Sequence, residues 1–390
     1  RIRSGGLKHL GPDVYNYGQK YIDERNALAA SPVQTNKDKS ARYTWSADKY
    51  SYGKKRTMEA EVSLGGGVIE NGGLYFTGGF FESYGRLPNE FTRRINSTLK
   101  FNYSPISDFR LNFVGILEDR GKLFGWKNNN FSEDFRFFLE GVPRWDGVNF
   151  VGSLKLTHVL SPSTFYELQA SIVSDNKRQG YVDGNNDGQI GLNEDGDFLV
   201  FADTAQVNRY MATGANTQFN KFFSPTPRNE SGSETTITNA GGLRWKISRP
   251  GIYYEDFKNT NITLKGDVTS QVTANHQLRA GFQARLHNFE RALRAGYIGG
   301  QFPAYKNYVE EMWDLKPKEF SLYAQDKMEY AGLIINLGLR VDGLDLAAGD
   351  YANYFGPFKD ITEAAGGSAR VPDRGPNIDM KFFFSPRIGV

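Results

Sequence analysis

The chain of 390 residues has no cysteine and no long apolar run. Without cysteine, disulfide bonds, thiolate metal sites and a cysteine nucleophile are excluded. A helix that spans a bilayer needs about 20 consecutive apolar residues, whereas the most apolar stretch, residues 333–339, is short and contains Asn336. The sequence therefore excludes a helical membrane protein and leaves the redox compartment open.

Charge of one sign and histidine are also scarce. The 47 basic and 44 acidic residues give a formal net charge of only +3, so the basic excess of a nucleic-acid-binding protein is missing. The 4 histidines show no metal-ligand spacing, and no nucleophile stands with a placed base. We expect no enzyme and no nucleic-acid partner.

Aromatic residues make up 14% of the chain, and apolar and polar residues alternate along several stretches. Alternation with period two predicts strands that have one apolar and one polar face. Two hairpins are predicted to turn at residues 104–105 and 161–162, and a third to turn through a glycine-rich connection at 65–73. The paired stretches are 99–103 with 109–113, 154–158 with 165–172, 58–64 with 74–81, 262–268 with 278–284, and 320–327 with 333–341.

Connections are short within these pairs and long between them. The long ones cover residues 118–148, 174–259, 285–318 and 343–379. Short turns at one end, long loops at the other and strands of about 9 to 11 residues are typical of outer-membrane barrels. We predict an all-β fold, a partial transmembrane antiparallel β-barrel of roughly 10 to 14 strands with long extracellular loops, over residues 56–390. Residues 1–55 form an ill-defined segment, for which a first strand and a loop are the expectation.

Four segments resemble the barrel of TonB-dependent outer-membrane receptors: residues 83–89, 154–165, 323–342 and 384–390. The resemblance implies a place in the bacterial outer membrane, contact with its lipid, and uptake of a nutrient such as a chelated metal, a glycan or a peptide. It also implies a TonB-type energising complex that acts through a plug, and a surface lipoprotein partner. Such receptors have 22-stranded barrels with a plugged lumen. Because only about 10 to 14 strands are predicted here and residues 1–50 do not resemble the plug, we expect the chain to be a fragment of such a barrel.

The most specific motif, residues 183–194, follows the spacing of a twelve-residue calcium loop. Gly188 permits the sharp turn, and neither flank shows helical periodicity, so a lone loop with structural Ca²⁺ is predicted rather than an EF-hand. A cluster of turn residues that binds nothing is the alternative. The predicted ligands, at positions one, three, five, seven and twelve, are Asp183, Asn185, Asp187, the backbone carbonyl of Gln189, and Glu194.

Aromatic residues are concentrated in the loop at 124–145. Trp126, Phe131 and Trp145 are candidate ligand-binding residues, because aromatic rings stack on glycans and other planar or apolar groups. Packing of these rings against a neighbouring loop is the alternative.

Two other interpretations of the whole chain stay open. One is an outer-membrane barrel without transport activity that serves as a structural or interaction component of a surface or secretion assembly. The other is a soluble secreted β-sandwich, since periodicity does not show which face of a sheet is wet.

Overall fold

The computed structural model shows an all-β chain. It describes residues 2–6, 15–16, 32, 48–49, 56–84, 91–129, 143–182, 196–200, 236–238, 244–246, 252–296, 308–347 and 379–389. Among these residues there is no helix long and apolar enough to span a membrane.

The described part of the chain forms 18 strands. They are β1 (Ile2–Gly6), β2 (Tyr15–Asn16), β3 (Asp48–Lys49), β4 (Arg56–Ile69), β5 (Gly72–Tyr84), β6 (Phe91–Ile106), β7 (Phe109–Asp119), β8 (Asn128–Asn129), β9 (Arg144–Ser161), β10 (Thr164–Gly180), β11 (Thr236–Thr238), β12 (Arg244–Lys246), β13 (Ile252–Gln271), β14 (His276–Gly296), β15 (Tyr308–Leu315), β16 (Lys318–Tyr330), β17 (Leu333–Asp345) and β18 (Lys381–Gly389).

One antiparallel sheet contains 14 of these strands, which confirms the expected fold class and number of strands. Its main path runs β1-β4-β5-β6-β7-β9-β10-β13-β14-β16-β17-β18, so the strands of this path follow one another in chain order. Strand β8 pairs with β6 and β9, and β15 pairs with β14. Within the described residues β1 pairs only with β4, and β18 only with β17, so the sheet is open at these two edges.

The register gives the sheet one apolar and one polar face. Paired residues of antiparallel strands point to the same face, and the next residue points to the other. One row of paired residues defines the apolar face: Leu111, Leu156, Leu168, Gly266, Phe282, Leu322, Val341 and Phe384. The adjacent row defines the polar face: Arg110, Thr157, Glu167, Asp267, Gly281, Tyr323, Arg340 and Ser385.

Phenyl rings cover several glycines on the apolar face. In three strands a phenylalanine is followed two residues later by a glycine, and its ring lies about 3.1 Å from where a glycine Cβ would be. Such coverage compensates for the missing side chain of a strand glycine. The three pairs are Phe76 with Gly78, Phe113 with Gly115, and Phe150 with Gly152.

Two predicted turns need correction, whereas the turn at 162–163 lies close to the expected position. Strand β6 continues through Pro105 to Ile106, and the turn follows at 107–108. An irregularity in the register between Tyr103 and Ile106 accommodates Pro105, which has no N–H to donate to the ladder.

The glycine-rich connection predicted at 65–73 was also wrong. Residues 65–67 continue β4, and the turn consists of Glu70 and Asn71 alone. Asn71 adopts a φ of 58°, a left-handed conformation that asparagine tolerates better than most residues. Several strands also exceed the expected length, since β13 and β14 contain 20 and 21 residues.

Gly281 gives a first prediction. An alanine Cβ there would lie 2.6 Å from the carbonyl oxygen of Gly266 and 2.8 Å from both Asp267 Oδ1 and a ring carbon of Tyr323. We expect Gly281→Ala to lower the free energy of unfolding by about 1–3 kcal/mol, because the backbone cannot retreat freely. Chemical denaturation of the purified protein measures the change.

The matched control is Gly66→Ala, since a Cβ at Gly66 meets nothing within 4 Å. If both variants unfold at the same denaturant concentration, the close packing around Gly281 does not hold.

Candidate functional site

The polar face carries a lattice of ion pairs and hydrogen bonds between neighbouring strands. Lys155 Nζ lies 2.8 Å from Glu167 Oε1, and the hydroxyl of Thr157 donates to the same oxygen at 3.2 Å. Further along the face, Arg285 lies 3.3 Å from Glu319. Each exposed pair contributes at most about 1 kcal/mol, so the lattice orders the surface more than it stabilises the fold.

Asp267 is the most buried carboxylate of this lattice, with a side chain 7% exposed. Lys265 Nζ lies 3.1 Å from Asp267 Oδ2, Arg279 lies 3.5 Å from Oδ1, and the Tyr323 hydroxyl donates to Oδ1. Gly281 separates Asp267 from Tyr323 in the row and leaves the space across which they meet. Two cations and a phenol therefore converge on one carboxylate.

A second cluster lies at the long-loop end of β9 and β10. The guanidinium of Arg178 donates to both carboxylate oxygens of Asp146, at 3.1 and 2.7 Å, and Asp146 is 1% exposed. A bidentate pair of this kind is stronger and more directional than a single contact. The third nitrogen of Arg178 reaches Asp197 at 3.4 Å, so Arg178 connects the sheet to the segment that follows the predicted calcium loop.

Aromatic packing supports the same connection. The ring of Phe198 lies 5.2 Å from the guanidinium of Arg178 and 4.9 Å from Lys127 Nζ. Burial lowers the pKa of Lys127, while the carboxylates of Asp146 and Asp197 act in the opposite direction. Two cationic groups near one ring help to hold Phe198 in place.

The ends of the predicted calcium loop are held together. Val182 and Phe198 form an antiparallel bridge, and the Leu199 N–H donates to the Tyr181 carbonyl at 2.8 Å. With Tyr254 these side chains make up the buried hydrophobic residues of the described part of the chain. The predicted ligands lie outside the described residues: Asp183, Asn185, Asp187, Gln189 and Glu194.

The predicted aromatic site is divided between the two faces. Trp126 donates its indole N–H to the Arg93 carbonyl at 3.1 Å and stacks on Phe124, with ring centroids 5.5 Å apart. Trp145 belongs to the polar face, where the guanidinium of Arg120 lies 5.7 Å from its ring. Phe131 lies outside the described residues. Both tryptophans thus have packing roles, and they do not share one surface.

Sequence reasoning missed the Arg178–Asp146 pair and the contacts of Asp267. The first two residues are 32 positions apart, and Asp267 and Tyr323 are 56 apart. The only signal in the sequence is whether each residue occupies an odd or an even position in its strand. That position predicts the face to which the side chain points but not its partner.

No family model and no curated protein matches the sequence. Among solved structures, the chain is similar to the copper transporter OprC, with 11% identity, a TM-score of 0.45, and coverage of 85% of this chain and 41% of that one. It is similar to the RagAB peptide transporter with 11% identity, a TM-score of 0.42 and coverage of 99% and 43%. It is also similar to FpvA of P. aeruginosa bound to pyoverdines, with 11% identity, a TM-score of 0.42, and coverage of 74% of this chain and 35% of that one. The chain thus spans about two fifths of the length of these solved proteins.

Proposed function

We propose that the chain forms part of the wall of a TonB-dependent transporter in the bacterial outer membrane. In this proposal the apolar face contacts lipid, the polar face lines the lumen, and a plug driven by a TonB-type complex admits a nutrient. A surface lipoprotein would bind at the long-loop end. The observation that carries the proposal is the division of the sheet into a face that is largely apolar across its middle and a face of paired charges.

Exposure of the apolar face favours lipid over water. Leu322 is 64% exposed, Phe384 70% and Ile388 78%; Leu322 lies on β16 and the other two on β18, on either side of β17. Soluble proteins rarely expose contiguous apolar patches beyond a few hundred Å², because each Å² kept in water costs about 25 cal/mol. The other two sheets among the described residues have two short strands each, too few to cover this face as the second sheet of a β-sandwich would.

The height of the apolar face also suits a bilayer. On β9 it extends from Phe150 to Leu160, which is about 34 Å along the strand at roughly 3.4 Å per residue. Tilted by about 40°, this length gives a band about 26 Å tall, close to the roughly 25 Å of outer-membrane barrels. We call the part of the apolar face at this height the apolar band.

Beyond the apolar band the same face becomes charged. Arg93 donates to Glu82 at 2.8 Å, and Lys258 Nζ lies 3.0 Å from Glu290. These side chains point to the same face as the apolar row, but they lie nearer the long loops. A face that is apolar over one bilayer thickness and then ionic fits a wall that rises from the membrane into water.

We also propose that residues 183–194 bind Ca²⁺ and that the ion orders this loop. The spacing of the side-chain oxygens supports the proposal, and so does the bridge between Val182 and Phe198, which brings the ends of the loop together. Three carboxylates would leave one net negative charge on the occupied site. Weak extracellular sites of this kind bind with dissociation constants of about 0.1–1 mM.

Neighbouring residues on opposite faces test the proposed wall. Because the chain has no cysteine, Leu168→Cys and Gln169→Cys each introduce one thiol for a fluorescent label. In bilayers of brominated lipid, we expect the label at 168 to lose emission and the label at 169 to keep it. Equal emission at the two positions, or a protein that stays monodisperse without detergent, would contradict the proposed wall.

Calorimetric titration tests the calcium site. We expect the purified protein to release or absorb heat on addition of Ca²⁺, with a dissociation constant of about 0.1–1 mM. Asp183→Ala and Glu194→Ala should abolish this heat, because each removes a carboxylate from the predicted ligand set. Asp195→Ala, just outside the motif, is the matched control and should retain it. No heat above dilution in the unaltered protein would sink the calcium proposal but not the proposed wall.

A further inference from the structure

We infer that residues 120–127, here called the aromatic turn, anchor the wall in the headgroup region of the membrane leaflet nearest the long loops. The inference rests on the proposed function, because it needs the apolar band to lie in a bilayer. It goes further in assigning a lipid contact to a folded turn that projects from the sheet.

The aromatic turn starts where a strand stops. Strand β7 ends at Asp119, and β8 takes its place in the sheet between β6 and β9. The intervening residues therefore leave the plane of the sheet and return to it.

Two contacts place the aromatic turn on the apolar face. Asp119 lies opposite Ile95 and shares the parity of the apolar row; it is completely buried, and its Oδ1 accepts the Leu123 N–H at 2.8 Å. Arg93, which has the same parity on β6, lies 5.4 Å from the ring of Trp126. The turn thus covers side chains that project from the apolar face.

Hydrogen bonds give the aromatic turn a fixed shape. The Gly125 N–H donates to the Gly121 carbonyl at 2.9 Å, and the buried Asn128 side chain donates to the Arg120 carbonyl at 2.6 Å. The same side chain accepts the Arg93 N–H at 2.6 Å. Gly121 has a φ of 109°, and a Cβ there would lie 2.1 Å from the Trp126 carbonyl oxygen, so glycine is required at this position.

This fixed turn exposes its apolar side chains. Leu123 is 58% and Phe124 63% exposed, and Phe124 stacks on Trp126 instead of packing inward. The Leu123 N–H is bonded to Asp119, which lies two residues beyond Leu117 at the end of the apolar band. The cation Lys122 belongs to the same turn, whereas Arg120 lies beside Trp145 on the polar face and Lys127 packs on Phe198.

This composition fits the interface of a bilayer. Aromatic side chains concentrate where hydrocarbon meets headgroups, and cationic side chains are attracted by lipid phosphates. The aromatic turn offers both, and it lies where the apolar band gives way to charged side chains such as Arg93. We therefore take lipid, rather than a protein, as the group that covers Phe124.

Fluorescence quenching at defined depths tests the inference. In the full-length protein that carries this chain, with any cysteine elsewhere replaced by serine, Phe124→Cys is labelled and compared with the labels at Leu168→Cys and Gln169→Cys. Bilayers contain lipid brominated either near the headgroup end or near the middle of the acyl chain. We expect the label at 124 to lose emission mainly with the shallow bromines, the label at 168 with the deeper ones, and the label at 169 with neither.

The outcomes separate the two proposals. If the label at 168 is quenched and the label at 124 is not, the aromatic turn is not a lipid anchor, while the proposed wall stands. If the label at 168 is not quenched, the proposed wall fails and the anchor fails with it. Lys122→Cys provides a second position on the turn; shallow quenching at 122 and 124 together supports the anchor. Protection of both positions only in the presence of a surface lipoprotein overturns it in favour of a protein contact.

Discussion

Antiparallel register is the constraint on which the rest of this structure depends. Because paired residues share a face, one set of pairings places Leu168 beside Gly266 and Glu167 beside Asp267 across the same two strands. A slip of one residue in any strand would bring charged side chains to the apolar face and leucines to the polar lattice. The apolar band, the ion pairs and the position of the aromatic turn all follow from this single alignment.

Alternation in the sequence is enough to predict the hairpins and their faces, because period two is a local property. It fails where tertiary contacts override local preference. Pro105 remains in β6 because the register is irregular there, and residues 65–67 remain in β4 although glycines in a row favour a turn. The short strand β8 was missed because two residues carry no periodic signal. Its pairing with β6 and β9 joins it to residues that are distant in the sequence.

Of the candidate site, the sequence indicates the motif at 183–194 and the tryptophans, but not how they are supported. Contacts such as Arg178 with Asp146 join residues on different strands, and only the three-dimensional register selects the partner. The division of Trp126 and Trp145 between two faces has the same origin. Both belong to one aromatic-rich loop in the sequence, yet β8 lies between them and directs each to its own surface.

The bridge between Val182 and Phe198 has a consequence for ion binding that concerns chain entropy. It closes a loop of 15 residues, 183 to 197. Closing a flexible loop of this length costs on the order of 2 kcal/mol. Contacts of Arg178 and Phe198 with the sheet offset that cost in the fold, so in the proposed calcium site an ion would have to order only the residues that coordinate it. The entropy cost of binding an ion would therefore be smaller in the folded protein than in a free peptide with the same motif.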